Sequence, residues 1–222
     1  MSRHAEFQGA QPPGGCASPE NVLSFWFGTA SINENEMTRI RRWFRGGAPM
    51  DEEVARRFGP AVEAALRHEL DDWAATARGR LALVLLLDQM TRSLYRNDPR
   101  SYAGDAQAQA LSAEAFDRDM HRELDFPERM FLAMPMAHAE DVALQERAAR
   151  LATEWAADAP PEYRVMSAMT VEQTAKYFGI IRRFGRFPHR NTILGRASTP
   201  EEIEFLKTWA EEHPPKSIRP AS

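Results

Sequence analysis

The residues best suited to bind a ligand lie in the segment Arg182–Arg196, which has five arginines, one histidine and no acidic residue. The guanidinium of arginine is planar and binds carboxylate or phosphate oxygens in pairs. Glycine and proline residues predict an irregular loop here, and loops on rigid scaffolds often carry binding sites. The segment therefore predicts an anion-binding site. Its candidate residues are Arg186, Arg190, Asn191, Arg196 and, as an acid or base, His189.

An alternative interpretation of the same segment is structural. The arginines can pair with acidic residues elsewhere in the fold and attach the last helix to the rest of the protein. The sequence spacing alone leaves both interpretations open.

A second candidate group is Asp88-Gln89-Met90-Thr91-Arg92, which follows the seven apolar residues Leu81–Leu87. On a helix this position places Asp88 in or beside the core, where a carboxylate needs a partner. Arg92 lies one turn further on the same face, and an arginine of the basic segment is another possible partner. Asp88 is thus either one half of a buried structural ion pair or a catalytic carboxylate, with Gln89 and Arg92 as candidate ligand-binding neighbours.

A third group is His138-Ala139-Glu140-Asp141, at a predicted junction between two helices. His138 can form an acid–base pair with a carboxylate such as Glu140 or Asp141. Asp141 can instead cap the following helix, and Asp105, a fourth candidate acid, can do the same for its own helix. No second histidine stands at helical spacing from His138, so we predict neither a metal site nor a cofactor.

The sequence predicts that the elements that position these residues are all helices. Ser18-Pro19-Glu20 and Thr199-Pro200-Glu201-Glu202 are helix starts, and Asp51–Ala75 is an amphipathic helix with apolar residues three and four apart. No stretch shows sustained strand alternation, so about nine helices predict an all-α fold. Leu81–Phe116 is a helix, turn and helix of roughly the length of one tetratricopeptide repeat, but the repeat is not cleanly periodic. An irregular, tetratricopeptide-like helical superhelix is the predicted architecture.

The chain of 222 residues is long enough for one large domain. We predict a flexible N-terminal arm over residues 1–17, a single helical domain over 18–213 and a C-terminal tail over 214–222. The single cysteine, Cys16, suits a reducing compartment, and no signal peptide or membrane-spanning run is apparent. We therefore expect a soluble cytoplasmic protein that does not bind membranes, and the formal net charge of -4 argues against a nucleic-acid partner.

Four blocks of the sequence resemble the signature blocks of a bacterial family, the domain-of-unknown-function family DUF924, to which a tetratricopeptide-like helical fold is assigned. The blocks are Val22–Gly28, Leu86–Arg92, Met134–Asp141 and Phe184–Asn191. The resemblance extends from about residue 18 to residue 209, and the Phe-Gly-Arg-Phe-Pro-His-Arg-Asn block is its most specific part.

The resemblance implies a shared polar set in addition to the fold. This set comprises Asp88, Gln89, Arg92, Asp105, His138, Glu140, Asp141, Arg186, His189, Arg190 and Asn191. The chain departs from the family pattern at four places, because members often have Pro at Thr91, Ser at Ala139, a His near Tyr177 and an acid near Gly179. An altered activity or a different substrate is the expected consequence if the family is enzymatic and uses those groups.

Three functions remain open from the sequence, and they leave undecided whether the chain is an enzyme. The first is a helical protein whose polar pocket binds a small anionic ligand, a carboxylate or a phosphate ester. The second is a hydrolase or transferase in which His138 or His189 is the acid or base, Asp88 or Asp141 orients it, and arginines stabilise negative charge. The third is a module that binds a protein partner, as tetratricopeptide-like superhelices do. The sequence predicts no oligomeric state.

Overall fold

The computed structural model describes residues 17–28, 36–45 and 47–212, and in these ranges it contains helices and turns but no strand. The short 3₁₀ turns between the helices are Asp71–Ala75, Pro99–Tyr102, Met120–Glu123, Pro161–Tyr163 and Pro188–Arg190. The α-helices are α1 (Pro19–Phe27), α2 (Glu36–Arg45), α3 (Gly47–Leu66), α4 (Ala77–Val84), α5 (Thr91–Leu94), α6 (Asp105–Asp117), α7 (Phe126–Ala137), α8 (Val142–Ala157), α9 (Arg164–Phe184) and α10 (Pro200–Glu212).

The predicted all-α fold is confirmed. A π-helical turn, Leu85–Met90, joins α4 to α5 without a break. We call α4, this turn and α5 together the α4–α5 rod. When the rod is counted as one helix, the described residues contain nine helices, which agrees with the predicted number. The more specific tetratricopeptide-like arrangement stays a prediction.

Helix starts follow the capping signals in the sequence. The Ser18 side chain accepts a hydrogen bond from the backbone N–H of Asn21, and Pro19 occupies the first turn of α1. At the start of α10, the backbone N–H of Glu202 donates to Thr199 Oγ1, while Thr199 N–H donates to the Glu202 carboxylate. These reciprocal bonds satisfy N–H groups that have no partner within the helix.

The α4–α5 rod lies at the centre of the protein. Every side chain from Leu81 to Leu87 is at most 1% exposed. Helices α1, α3, α6 and α7 all pack against this rod or its π-helical turn. A helix so enclosed must be apolar nearly all round, which is what the run Leu81–Leu87 provides. The rod therefore holds Asp88 at a fixed depth within the core.

Helices α7, α8 and α9 form a second structural unit beside the rod, since α8 packs against both of its neighbours. The connections, residues 138–141 and 158–163, are short, so consecutive helices run antiparallel. Helices α7 and α9 consequently run in the same direction. A smaller apolar cluster of Ile180, Ile181 and Phe187 packs with Phe205 and Trp209 and attaches α10 to the end of α9.

The predicted amphipathic helix Asp51–Ala75 is wrong in its extent. Helix α3 begins at Gly47 and ends at Leu66, and the following turn contains His68 with φ of 62°. A 3₁₀ turn, Asp71–Ala75, then places Trp73 half-buried against the core. The apolar spacing persisted across this break because both segments pack against one core, so periodicity alone did not reveal the change in direction.

The predicted terminal segments lie outside the described residues, apart from Ala17, which packs against the core. The division into an arm, one domain and a tail stays a prediction. Among the described residues, none of the helices combines the length and apolar character needed to cross a membrane.

The close approach of α6 to the central rod gives a first testable prediction. A Cβ added at Gly104 would lie 2.4 Å from the Leu87 carbonyl oxygen, so Gly104→Ala must push the two elements apart. We expect a loss of about 1–3 kcal/mol in the free energy of unfolding. Gly179→Ala is the matched control, because Gly179 lies within α9 and, apart from its chain neighbours and the backbone of its own helix, no atom of the described residues lies within 4 Å of an added Cβ. It should stabilise the protein by about 0.5–1 kcal/mol. Urea denaturation measures both, and shifts of the same sign would contradict the packing described here.

Candidate functional site

His138 and Asp88 form a hydrogen-bonded pair at the centre of the candidate site. The Nδ1 atom of His138 lies 2.8 Å from Oδ1 and 3.1 Å from Oδ2 of Asp88. The Asp88 side chain is 1% exposed and that of His138 is 18% exposed. These residues stand 50 positions apart in the sequence, and the packing of α7 against the π-helical turn brings them together.

The backbone around His138 is fixed on both sides. The side-chain amide of Gln145, on α8, donates to the carbonyls of Ala137 and Ala139 at 2.7 and 2.8 Å. Arg190 donates to the carbonyl of His138 itself at 3.0 Å. Since Gln145 is fully buried, these bonds are shielded from water. The imidazole thus projects from a rigid turn, as an acid–base group requires.

Asp88 is ionised in this environment. Burial raises the pKa of its carboxyl, but the charge of Arg92 and the contact with His138 outweigh that effect and hold the pKa well below its ordinary value. The Arg92 guanidinium lies 3.3 Å from Asp88 Oδ1, and the Gln89 amide donates to Oδ2. An ionised carboxylate only accepts hydrogen bonds, so Nδ1 must carry the proton. In the neutral ring, assigned from this network, Nε2 then holds the free electron pair.

Two arginines and Asp105 extend the network beyond Asp88. Arg92 donates to Asp105 Oδ1 at 2.9 Å and Arg190 to Oδ2 at 3.2 Å. The Arg190 guanidinium is also stacked between the rings of Tyr102 and Phe187, 4.7 and 4.5 Å from their centroids. Burial raises the pKa of Asp105 and lowers that of Arg190, effects that each partner's charge opposes. Asp105 therefore bridges two arginines and is not the N-cap of α6, which is Gly104.

Arg196 and Glu140 attach the basic segment to the turn that carries His138. Arg196 binds Glu140 in bidentate geometry at 2.6 and 2.9 Å, and its Nε donates to Asn191 Oδ1 at 3.0 Å. Glu140 also accepts the backbone N–H of Phe187 at 2.8 Å. Although burial raises the pKa of Glu140, these hydrogen bonds lower it overall. The result is a fixed connection between residues 138–141 and the basic segment.

Arg186 serves the last helix in a similar way. It binds both oxygens of Glu202 at 2.7 and 2.8 Å, and Asn191 donates to the same carboxylate at 3.2 Å. The hydrogen bond from Arg186 is the largest cause that lowers the pKa of Glu202 to about 2. Arg186 and Arg196 thus have the structural role that the alternative interpretation gave to the basic segment. Arg186 joins its loop to α10, and Arg196 joins the same loop to residues 138–141.

The two other predicted catalytic residues have different surroundings. Asp141 caps α8 by accepting the backbone N–H of Leu144 at 2.8 Å, the structural role that its position allowed. His189 stacks on Trp209 with ring centroids 4.6 Å apart. The carboxylate that binds His138 is therefore Asp88, and the suggested pairing of His138 with Glu140 or Asp141 was wrong because Arg196 and the N-terminus of α8 occupy those acids.

His138 lines a cavity of about 490 Å³ between α7, α8 and α9. Asp88 is buried and is not one of the residues that line the cavity, whereas His138 is. None of the described residues that line the cavity is charged. The lining comprises Phe44, Met130, Phe131, Ala133, Met134, Ala137, His138, Ala148, Ala152, Trp155, Met166, Met169, Thr170, Gln173, Thr174 and Tyr177.

Tyr177 is a cavity residue that the sequence did not indicate as a functional group. Its ring packs edge-on against Phe187 with ring centroids 5.1 Å apart. Burial raises the pKa of Tyr177, although Arg190 and Arg92 act in the opposite direction. Gln173 and Tyr177 stand one turn apart on α9, so helical spacing placed them on one face without indicating that the face borders a cavity.

The other positions at which the resemblance implies a departure from the family pattern are not part of the cavity lining. Ala139 is fully buried and uses its carbonyl to accept from Gln145. Gly179 is on the exposed side of α9. Of the four positions at which the resemblance implies a departure, Tyr177 is the one that lines the cavity. Within the described ranges, His, Cys, Asp and Glu side chains form no group of three or more that could hold a metal ion.

Comparisons with known proteins agree with the resemblance found in the sequence. The model of a bacterial family of unknown function, DUF924, matches residues 22–209. Among solved structures, a protein of unknown function from Agrobacterium tumefaciens is similar, with 34% sequence identity and a TM-score of 0.70. The match covers 86% of this chain and 97% of that one. No curated protein matches.

The bond between Arg186 and Glu202 predicts how stability depends on pH. The folded pKa of Glu202, about 2, lies below its ordinary value of 4.5, so the ionised form favours folding. This contribution is complete above pH 4.5 and is lost as the pH falls towards 2. Glu202→Gln should therefore lower the urea midpoint at neutral pH and flatten its decline in acid.

The neighbouring Glu201 supplies the control for this measurement. Glu201 pairs with Arg183 at 2.8 Å, but its side chain is 62% exposed, and ion pairs in water contribute little. Glu201→Gln should keep the acid profile of the native protein. Equal flattening in both variants, or none in Glu202→Gln, would show that Glu202 is not specifically stabilised in the fold.

Proposed function

The chain belongs to the DUF924 family of bacterial proteins, and from this premise we propose that it is a hydrolase or transferase in which His138 moves protons for a small molecule held in the cavity. One observation carries the proposal. The Nδ1 atom of His138 is bound at 2.8 Å to a buried, ionised carboxylate, while the same ring lines an uncharged cavity. A carboxylate in that position orients an imidazole and stabilises its protonated form, which prepares the opposite nitrogen to act as a base.

In the proposed reaction, His138 takes one proton from the nucleophile and returns it to the leaving group. Nε2 of His138 accepts a proton from the O–H of the nucleophile, which is water in a hydrolase or an acceptor alcohol in a transferase. The nucleophile's oxygen forms a bond to the carbonyl carbon of the substrate. The imidazolium, stabilised by Asp88, then returns the proton to the leaving group as the bond to that group breaks. Asp88 stays ionised throughout, because its pKa is held low.

Tyr177 supplies the hydrogen-bond donor for this reaction. A tyrosine hydroxyl is protonated at neutral pH, and burial raises the pKa of Tyr177 further, so the hydroxyl can donate to the carbonyl oxygen as negative charge develops there. Arg92 and Arg190 contribute from outside the cavity lining, since Arg92 lowers the pKa of Asp88 and both arginines oppose the rise that burial causes in the pKa of Asp105. The two arginines stabilise negative charge in the network, whereas the neutral groups of the cavity contact the substrate.

Binding of a small anionic ligand is the first function that the sequence suggested, and it is the weaker proposal because the arginines are already paired with carboxylates. The guanidiniums of Arg92, Arg190, Arg196 and Arg186 are bound to the carboxylates of Asp88, Asp105, Glu140 and Glu202. An anion would have to displace one of these carboxylates and leave it buried without a partner. The apolar cavity also lacks a charged group that would bind such a ligand.

The remaining parts of the proposal rest on the sequence. A cytoplasmic location is supported by the single cysteine. A tetratricopeptide-like arrangement and a role in binding a protein partner stay predictions, and we rank the partner role third.

The proposal predicts the effect of changing either member of the pair. The assays are release of p-nitrophenolate from p-nitrophenyl acetate and p-nitrophenyl octanoate, and release of the thiol from alkyl thioesters. His138→Gln should lower kcat by about 10²–10⁴-fold because the base is lost. Asp88→Asn should lower it by about the same factor, since an amide that donates to Nδ1 forces the wrong tautomer. Circular dichroism establishes the folded fraction to which each rate is referred.

Matched substitutions separate this pair from the other predicted candidates. His189→Gln and Asp141→Asn are the same two types of substitution at other positions. His189 stacks on Trp209, and Asp141 caps α8. Both should retain the native kcat per folded molecule. The proposal is wrong if His138→Gln is as active as the native protein, if His189→Gln is the inactive variant, or if the native protein hydrolyses none of these esters and thioesters faster than buffer.

A further inference from the structure

The polarity of the cavity changes along its length. On α9, Met166 and Met169 line one end, whereas Gln173 and Tyr177 line the other. Helix α7 shows the same order, because Met130 and Phe131 precede Met134 and the helix ends at His138. As α7 and α9 run in the same direction, their apolar ends coincide and their polar ends coincide. The cavity is therefore an apolar groove that ends at the acid–base group.

The groove offers no partner for a charged ligand along its apolar part. Thr170 and Thr174 donate their hydroxyl protons to carbonyls of α9, at 2.9 Å from Met166 O and 2.8 Å from Thr170 O. The floor of the groove is apolar and buried, with Phe131 at 1% and Met166 at 3% exposure. A carboxylate or phosphate placed here would lose its hydration without gaining a counter-charge, which is strongly unfavourable.

The dimensions of the groove suit an extended chain better than a compact ring system. The residues from Met130 to His138 rise by about 12 Å along α7. Four methionines, at positions 130, 134, 166 and 169, supply flexible walls that adapt to a linear ligand. Ala148 and Ala152 of α8 leave room along the opposite wall. A chain of about eight to ten carbons, with bonds of about 1.5 Å, spans this length.

We propose that the group transferred or released is an uncharged, unbranched acyl chain of about eight to ten carbons, which lies along the groove with its carbonyl beside His138. This proposal rests on the proposed function for the reacting end of the substrate. The chain itself binds through the apolar walls, independently of proton transfer. Phe44 and Met169, which are 42% and 47% exposed, form the rim over which the chain enters.

Binding of unreactive ketones tests the chain site without catalysis. The probes are 2-decanone, 2-butanone and decanoate, and dissociation constants come from calorimetry and from the rise in thermal midpoint. Each buried methylene should tighten binding by about threefold to fourfold, so 2-decanone should bind at least about 10²-fold more tightly than 2-butanone. Decanoate should bind at least about tenfold more weakly than 2-decanone, because its charge has no partner.

Substitutions in the groove locate the bound chain. Ala152→Leu fills the wall and should weaken 2-decanone binding by at least about tenfold, whereas Ala143→Leu, on the exposed side of α8, should leave it unchanged. Met169→Lys repeats the test at the rim, where a polar substitution does not disturb the core. Its control is Val165→Lys, since Val165 is equally exposed at 47% but lies outside the lining.

The outcomes separate this proposal from the proposed function. His138→Gln should lose turnover and keep native affinity for 2-decanone. The acyl-chain proposal is overturned if 2-butanone or decanoate binds as tightly as 2-decanone, if no ketone binds, or if Ala152→Leu and Met169→Lys both bind 2-decanone normally. If the ketone binds as expected while His138→Gln keeps full turnover, the proposed function alone is wrong.

Discussion

A carboxylate in the middle of the most apolar helix is the constraint on which the rest of this structure depends. Asp88 follows seven apolar residues and is 1% exposed, so its charge must be compensated from neighbouring elements. Arg92 provides the positive charge from the same helix, and His138 provides a hydrogen-bond donor from α7. The π-helical turn at this point departs from regular α-helix, a feature often found where a helix serves function.

The basic segment near the end of the chain supports this pair by a continuous series of contacts. Glu202 of α10 binds Arg186, and Asn191 links that carboxylate to Arg196. Arg196 in turn binds Glu140, two residues beyond His138. Buried ion pairs of this kind seldom add much net stability, because desolvation opposes their attraction. Their concentration around one histidine is better explained by the fixed geometry that they give to the turn carrying it.

The parts of this arrangement that depend on local spacing were predictable from the sequence. The capping box at Thr199, the cap at Asp141 and the pairing of Asp88 with Arg92 all involve residues three or four positions apart. The contact between Asp88 and His138 spans 50 positions and depends on how α7 packs, which no local pattern encodes. The basic segment was correctly recognised as unusual, but its charge did not reveal which acids it would meet.

The cavity was hidden from sequence reasoning for a different physical reason. Methionines and alanines at helical spacing form the same pattern whether the apolar face packs against a neighbour or borders a space. What distinguishes the groove is the distribution of polarity along it, and that distribution exists only once α7 and α9 run side by side. His138 is hydrogen-bonded to the buried charge of Asp88 and also lines the uncharged groove. The histidine is consequently the group that connects the ionic network to the apolar space, and Tyr177, whose pKa burial raises, lines the same space.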